Sequence, residues 1–133
     1  MEIVYKETKE FSEQEIEELF LSVNWDSGKY PEKIVKGLKN SSLVISAWDE
    51  DRLIGLIRGL DDGATAGFIH YFLVNPAYQG YHVGTELMKR LLDKYKDFLY
   101  VKIMPSDPKT IPFYKKFGFE IYDNYSAMEI KRV

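Results

Sequence analysis

An almost uninterrupted apolar run from Phe68 to Val74, ended by Asn75-Pro76, constrains the fold of this chain more than any other feature. Such a run is typical of a strand that is buried on both faces of a sheet. From about Val83 to Lys96, apolar residues recur every three or four positions, which predicts an amphipathic helix. A second apolar run follows from Phe98 to Met104. Strand, helix and strand in this order predict a crossover unit with parallel or splayed neighbouring strands.

Short strands and helices are predicted on both sides of this crossover unit. Further strand-like runs are Ile3–Tyr5, Leu43–Trp48, Leu53–Leu60, Phe119–Tyr122 and Ala127–Lys131. Further helical patterns follow Ser12, follow Pro31 and cover Pro108–Phe117. The 133 residues suffice for one domain with its own core. We therefore predict one α+β domain over residues 1–133, with a mixed sheet of six or seven strands and about four helices.

Composition narrows the functional classes. The chain has no cysteine, which excludes a disulfide framework, a zinc-thiolate site and a cysteine nucleophile. Its two histidines, His70 and His82, match no metal-binding spacing, so we expect no metal. A net charge of -3 gives no sign of nucleic-acid binding, and no apolar run is long enough for a membrane span. Because the N-terminus also lacks the pattern of a signal peptide, we expect a cytoplasmic protein without nucleic-acid or membrane partners.

The junction between the buried strand and the following helix carries the strongest functional signal. Gly80 and Gly84 flank the predicted start of that helix at Val83. The first amides of a helix have no partner within the helix and lie at the positive end of its dipole, so a phosphate is a natural ligand there. A tight turn with close packing of helix on sheet explains the two glycines equally well. The segment is neither a P-loop nor a dinucleotide-binding fingerprint, because its glycine spacing differs from both.

Residues 74–84, with the sequence VNPAYQGYHVG, resemble the acetyl-CoA-binding motif of the GNAT superfamily of N-acyltransferases. That motif has the form Arg/Gln-x-x-Gly-x-Gly/Ala. Gln79 and Gly84 match its first and last positions, and Gly80 matches a glycine that commonly follows the first. His82 stands where the family usually has the middle glycine, and its Cβ could narrow the loop or its imidazole could contact a phosphate.

A second segment strengthens this resemblance. Residues 107–119, DPKTIPFYKKFGF, are similar to the family pattern Asn-x-x-Ala-x-x-Phe-Tyr-x-x-x-Gly-Phe, with Asp107 and Thr110 replacing the usual Asn and Ala. The order of predicted elements also agrees, so the resemblance covers nearly all of the chain. It implies a GNAT-like three-layer α/β/α fold, loosely of the branch that holds small bacterial acetyltransferases and plant serotonin N-acetyltransferase-like proteins.

The resemblance implies acetyl-CoA as the cofactor. Main-chain groups of Leu73 and Val74 would pair with its pantetheine arm as an added strand would. The second motif adds Asp107, Phe113 and Tyr114 to the implied cofactor-binding set. Backbone amides would hold the pyrophosphate, and the residues implied are Gln79, Gly80, Tyr81, His82, Val83, Gly84 and Thr85.

Acetyl transfer to an amine requires a neutral amine, and a lysine-like amine with a pKa near ~10.4 is almost fully protonated at pH 7. A general base is therefore useful. His70 is our candidate because its position resembles one of two paired histidines in arylalkylamine N-acetyltransferases, although Phe68 occupies the place of the other. A hydrogen-bonded structural histidine is the alternative. Asp61 and Asp62 are further candidates for a base or an amine anchor, unless they only form an Asp-Asp-Gly turn.

By the same resemblance, Tyr114 is the acid that protonates the departing thiolate, and transfer is direct within a ternary complex. The expected acceptor is a primary amine of a small molecule. A binding-only acyl-CoA or sensor module, and an enzyme that acetylates proteins or peptides, are the alternatives. Homodimers are common in the superfamily, so a homodimer is possible. Candidate acceptor-binding residues are Trp25, Tyr30, Asp62 and Tyr125, with Tyr122 nearby in sequence.

Overall fold

The computed structural model describes all 133 residues, which divide into two compact units, Met1–Lys102 and Ile103–Val133. Four antiparallel strands follow one another in the sheet, namely β1 (Ile3–Lys6), β2 (Leu43–Asp49), β3 (Arg52–Asp61) and β4 (Ala66–Val74). A fifth, β5 (Tyr100–Ile103), lies beside β4. The four helices are α1 (Glu13–Ser22), α2 (Pro31–Lys39), α3 (Val83–Lys94) and α4 (Ile111–Lys115).

The crossover from β4 through α3 to β5 confirms the predicted unit. The amides of Leu99 and Tyr100 donate to the carbonyl oxygen of Thr65 at 2.9 and 3.0 Å, so β4 and β5 start from the same point. Two neighbouring strands that leave one point run parallel. Since β4 has nine residues and β5 has four, the end of β4 runs on past β5.

The predicted sheet of six or seven strands is wrong, because the sheet has five strands. The expected hairpin of Phe119–Tyr122 and Ala127–Lys131 forms no strand. Its apolar residues Ile121, Met128 and Ile130 remain exposed. Alternating sequence stabilises a strand only when one face is buried, and a two-stranded hairpin alone is marginal in water. The α+β class and the four helices are as expected.

Helices pack on both faces of the sheet in the first unit. The buried side chains of α1 and α2 form one core with Val44, Leu56 and Leu73 of the sheet. Residues next to each other on a strand face opposite sides of the sheet, so Gly55, the neighbour of Leu56 on β3, faces the other side. A Cβ atom on Gly55 would lie 3.1 Å from Val83 of α3. The helices α1 and α2 thus cover one face and α3 covers the other.

Tyr95, at the C-terminal end of α3, fixes that helix against two glycines of the sheet. A Cβ atom on Gly59 would lie 2.1 Å from the Tyr95 hydroxyl oxygen, and one on Gly67 would lie 2.6 Å from its ring. The Tyr95 hydroxyl donates to Asp61 Oδ2 at 2.8 Å. Burial and, after it, the Asp61 carboxylate raise the pKa of Tyr95, so the phenol stays protonated. Both ends of α3 therefore pack against glycines of the sheet, through Val83 at one end and Tyr95 at the other.

Replacing Gly59 with alanine should lower the free energy of unfolding by about 1–3 kcal/mol, because the new methyl group would overlap the Tyr95 ring. Gly37→Ala is the matched control. Apart from the backbone of α2 itself, no atom lies within 4 Å of a Cβ at that position, so this change should instead stabilise by about 0.5–1 kcal/mol. Urea unfolding of both variants measures the two effects, and equal effects would refute this packing.

Candidate active site

The loop between β4 and α3 begins at a firmly anchored turn. The amide of Asn75 donates to the carbonyl oxygen of Ile54 at 2.8 Å, and the Asn75 side chain accepts from the Ala77 amide at 3.0 Å. A 3-10 turn follows over Pro76–Tyr78, as the Asn-Pro pair suggests. Tyr78 is buried, and its hydroxyl donates to Asp49 Oδ2 at 2.5 Å. These contacts hold the start of the loop to the sheet.

The helix N-terminus at the end of this loop carries amides with no partner in the protein. The amides of Gln79 and Tyr81 donate to Pro76 and Tyr78 carbonyl oxygens, so they are used inside the loop. No side chain caps α3, and the first hydrogen bond from this helix to the loop runs from the Glu86 amide to the His82 carbonyl oxygen. The amides left without a partner are those of Gly80, His82, Val83, Gly84 and Thr85. Five such donors and the helix dipole fit a pyrophosphate.

His82 takes the backbone conformation that explains the usual glycine at its position. Its φ is 59° and its ψ is 26°, which is the left-handed region, and Gly80 has a φ of 89°. A non-glycine residue in this region pays about 1–2 kcal/mol for its Cβ contact. The His82 side chain is exposed and makes no capping bond. The departure from the family motif therefore costs backbone strain at His82.

The direction of the main-chain groups at the end of β4 decides which residues could pair with a cofactor arm. Asn75 bonds to β3, and hydrogen-bonded pairs alternate along antiparallel strands, so Leu73 also directs its main chain to β3. Val74 and Phe72 therefore direct theirs to the side of β5. Val74 is the register partner of Gly55, on which Val83 packs. The structure thus brings Val74 and the first turn of α3 together and corrects the assignment of the Leu73 main chain.

His70 lies at a bulge of β4 and binds an arginine. The register steps from Arg58–Tyr71 to Gly59–Ile69, which leaves His70 as the extra residue. Arg58 Nη2 lies 2.7 Å from His70 Nδ1. Because a guanidinium only donates hydrogen bonds, Nδ1 is the acceptor and the ring hydrogen is on Nε2. The nitrogen that a general base needs is therefore occupied, and the structure favours the hydrogen-bonded alternative over the expected base.

Arg58 is the functional candidate that sequence reasoning missed. It lies inside the apolar strand β3 and is only 8% exposed. Its Nη1 donates to Ser41 Oγ at 3.2 Å, and its guanidinium lies 4.5 Å from the ring centre of Tyr71. Its buried Nε has no hydrogen-bond partner. Burial lowers the pKa of Arg58, and no carboxylate pairs with it. An arginine within an apolar strand was the signal in the sequence.

Aromatic side chains adjoin this arginine on the α1 side of the sheet. Tyr71 packs edge-on against Phe20 at 4.9 Å and lies 6.3 Å from Trp25. Phe68 and His70 stack at 5.9 Å on the exposed part of β4. Trp25, predicted to bind the acceptor, is half-buried against the core at this place. The buried cation of Arg58 therefore lies next to an aromatic wall, which consists of Phe20, Trp25 and Tyr71.

Asp62 organises the turn that follows β3. Its carboxylate accepts from the amides of Ala64 and Ala66 and from both the amide and the hydroxyl of Thr65. These bonds, the Thr65 hydroxyl first, lower the pKa of Asp62. Asp61 is similarly engaged, by Tyr95 and by the Gly63 amide. Both residues therefore build the Asp-Asp-Gly turn, and their role as a base or an amine anchor stays a prediction from the sequence.

Asp107 and the aromatic pair Phe113-Tyr114 lie in the second unit. Asp107 caps the turn before α4, since its side chain accepts from the Lys109 amide at 3.0 Å and its carbonyl oxygen from the Thr110 hydroxyl at 2.6 Å. The Phe113 and Tyr114 rings meet edge-on at 5.4 Å. Burial raises the pKa of Tyr114, and a hydrogen bond with Thr110 opposes this shift. Tyr114 is therefore a protonated phenol at neutral pH.

The remaining two acceptor-binding candidates are exposed aromatic residues. Tyr30 directly precedes the first residue of α2 and is 40% exposed. Tyr125, in the second unit, is 76% exposed and packs edge-on against Tyr122 at 5.6 Å. Neither belongs to the aromatic wall described above, and their role remains a prediction from the sequence.

The fold and the loop define a class: α+β proteins in which an interior strand leads into a helix with unpartnered N-terminal amides. Comparison with known proteins is more specific. Residues 5–119 match the model of the acetyltransferase (GNAT) family. An uncharacterised N-acetyltransferase of Prochlorococcus marinus is 32% identical over 123 residues, which cover 89% of this chain and 68% of that relative. The chain therefore belongs to the GNAT family of acetyltransferases, as its motifs indicate.

Solved structures agree with this membership. A GNAT family acetyltransferase from Streptococcus pneumoniae is 29% identical, with a TM-score of 0.82 over 99% of this chain and 100% of its own. A probable acetyltransferase from Staphylococcus aureus is 27% identical, with a TM-score of 0.88 over 98% of this chain and 100% of its own. A soybean protein named as a histone acetyltransferase is 31% identical over 101 residues, 66% of this chain and 43% of that relative. The predicted enzyme class, an N-acetyltransferase, is thus confirmed.

No helix is both long and apolar enough to cross a membrane. No three His, Asp or Glu side chains come together as a group that could hold a metal ion.

Replacing His82 with glycine should raise the free energy of unfolding by about 1 kcal/mol, because glycine takes a positive φ without the Cβ contact. His82→Ala is the matched control. It removes the imidazole but keeps the strained Cβ, so its stability should stay near that of the wild type. Urea unfolding distinguishes the two, and an alanine variant as stable as the glycine variant would contradict the strain argument.

Proposed function

We propose that this chain transfers an acetyl group from acetyl-CoA to a primary amine of a small molecule, directly within a ternary complex. The observation that carries the proposal is the set of five unpartnered amides from Gly80 to Thr85 at the start of α3. They offer directional donors and a positive dipole to a pyrophosphate, which needs both. Acetyl-CoA, when bound, supplies the acetyl group as a reactive thioester.

The chain's own residues would hold the cofactor at three places. The amides at the start of α3 would bind the pyrophosphate. The main chain of Val74 would pair with the pantetheine arm, because β4 runs on past the short β5 and directs Val74 to that side. In the second unit, we retain the motif residues Phe113 and Tyr114, on the strength of the sequence resemblance.

The proton transfers are divided between a tyrosine and solvent. The Tyr114 hydroxyl, which keeps its proton at neutral pH, would deliver it to the departing sulfur. The amine would form the new bond to the acetyl carbon as the bond from that carbon to sulfur breaks; the amine would then lose a proton, and solvent would return one to Tyr114. Because His70 Nδ1 already accepts from Arg58, we assign the proton of the amine to water and keep His70 as a positioning residue.

GNAT acetyltransferases act on amines of small molecules or of proteins. A lysine side chain of a protein is therefore the second candidate acceptor, favoured by the soybean relative named as a histone acetyltransferase. Thiol release from acetyl-CoA across a panel of arylalkylamines, polyamines, aminosugars, amino acids and a lysine peptide separates the two. Since the chain has no cysteine, a thiol reagent gives no background from the protein. Release with none of them, despite cofactor binding, would support a binding-only module.

Tyr114→Phe should lower kcat by about 10-fold to 100-fold, at or below the lower end expected for an acid catalyst, since a thiolate leaves readily even without help. Affinity for CoA, measured by calorimetry, should change less than twofold. Tyr5→Phe, on the edge strand β1 at the other side of the sheet, is the matched control and should leave kcat unchanged. Equal losses of CoA affinity and turnover in Tyr114→Phe would show a structural role instead.

A further inference from the structure

Arg58 is a buried cation without a counter-ion in the protein. Two of the other three arginines, Arg52 and Arg90, bind carboxylates at 2.6 and 2.8 Å although both are well exposed. Arg58 is buried, where a charge needs a partner most, and it has only the neutral groups of Ser41, His70 and Tyr71 around it. The protein therefore lacks the anion that this arginine requires.

The hydrogen-bond count of the guanidinium points the same way. A guanidinium has five N–H donors, and Ser41 and His70 account for two of them. Its Nε is buried and donates to nothing in the protein. Buried donors in folded proteins are almost always satisfied by a protein group, a water or a ligand. The missing acceptor is thus expected to come from outside the chain.

We propose that Arg58 binds the carboxylate of the acceptor, so that the acceptor is an amine which also carries a carboxylate, such as a free amino acid. This inference rests on the proposed function for the identity of the amine as acceptor. The binding of a carboxylate at Arg58 stands by itself on the geometry of the guanidinium.

The charge balance around Arg58 selects a carboxylate over a phosphate. A carboxylate is planar and carries one negative charge, which one guanidinium matches with two parallel hydrogen bonds. A phosphate group carries close to two charges, and no lysine or second arginine contacts Arg58 to balance the other. The neutral His70 and Ser41 add polarity without adding charge.

The position of Arg58 also suits an acceptor. Arg58 is the register partner of Tyr71, three residues before Val74, and three residues of strand span about 10 Å. An amino acid held by its carboxylate at Arg58 would extend along β4 toward Val74, where we place the cofactor arm. The exposed His70 contacts this arginine, and the half-buried Tyr71 and Trp25, which pack on the buried Phe20, offer an aromatic surface to the rest of the acceptor.

The test compares each proteinogenic amino acid with its α-amide, a pair that differs only in the carboxylate. Binding is measured by calorimetry with and without saturating CoA, and the Nε–H resonance of Arg58 is followed by NMR. We expect at least one amino acid to bind about 10-fold to 100-fold more tightly than its amide and to shift that resonance. If no amino acid shifts it, or if amides bind equally well, the proposal is wrong and a water satisfies Arg58.

Arg58→Met removes the donors at similar volume and should abolish the preference for the carboxylate while CoA affinity stays unchanged. Arg52→Met, at an exposed arginine of the same strand, is the matched control and should retain the preference. A preserved preference in Arg58→Met would overturn the proposal. If that variant fails to fold, the NMR titration of the wild type decides alone.

The outcomes separate this inference from the proposed function. Acetylation of amines without a preference for carboxylates would leave the enzyme in place and refute the role of Arg58. Carboxylate binding that shifts the Arg58 resonance, in a protein that binds no CoA, would support the Arg58 site and refute the proposed function.

Discussion

The close approach of α3 to the sheet is the contact on which the candidate site depends. Glycines at 55, 59 and 67 leave no Cβ on that face, so Val83 and Tyr95 seat the two ends of the helix directly on β3 and β4. Since Gly55 is the register partner of Val74, the first turn of α3 comes to lie beside the end of β4. The packing of α3 on these glycines thus places the unpartnered amides beside the end of β4, and no catalytic side chain is needed for this placement.

This dependence on backbone explains what could be predicted from the sequence. The apolar run of β4, its Asn-Pro end and the helical period of α3 are local patterns, and each appears in the structure where expected. The C-terminal hairpin was predicted from a pattern of the same kind, but alternation at Ala127–Lys131 becomes a strand only if a neighbour buries one face. That neighbour is a long-range feature, which a local pattern does not contain.

Side-chain roles were harder to predict, for a related reason. Asp62 and His70 are residue types that catalyse proton transfer, yet their acceptor atoms are occupied by Thr65 and Arg58. Hydrogen-bond partners are set by the fold, so residue type alone gives a list of candidates and no roles. The strained φ of His82 is the opposite case: the family motif marked the position as a glycine position, and the backbone shows why.

The two anion-binding features of the first unit differ in the physics they use, and this difference assigns them to different ligands. At α3, several amides and a helix dipole spread a partial positive charge over a whole turn, which suits a large, multiply charged and solvated pyrophosphate. At Arg58, one full charge is buried in a nonpolar strand and its Nε has no partner in the protein, which suits the small ion of one charge proposed above. The proposed transfer of an acetyl group from acetyl-CoA to an amine with a carboxylate would use one site of each kind, and the strand β4 runs from Tyr71, the register partner of Arg58, to the loop before α3.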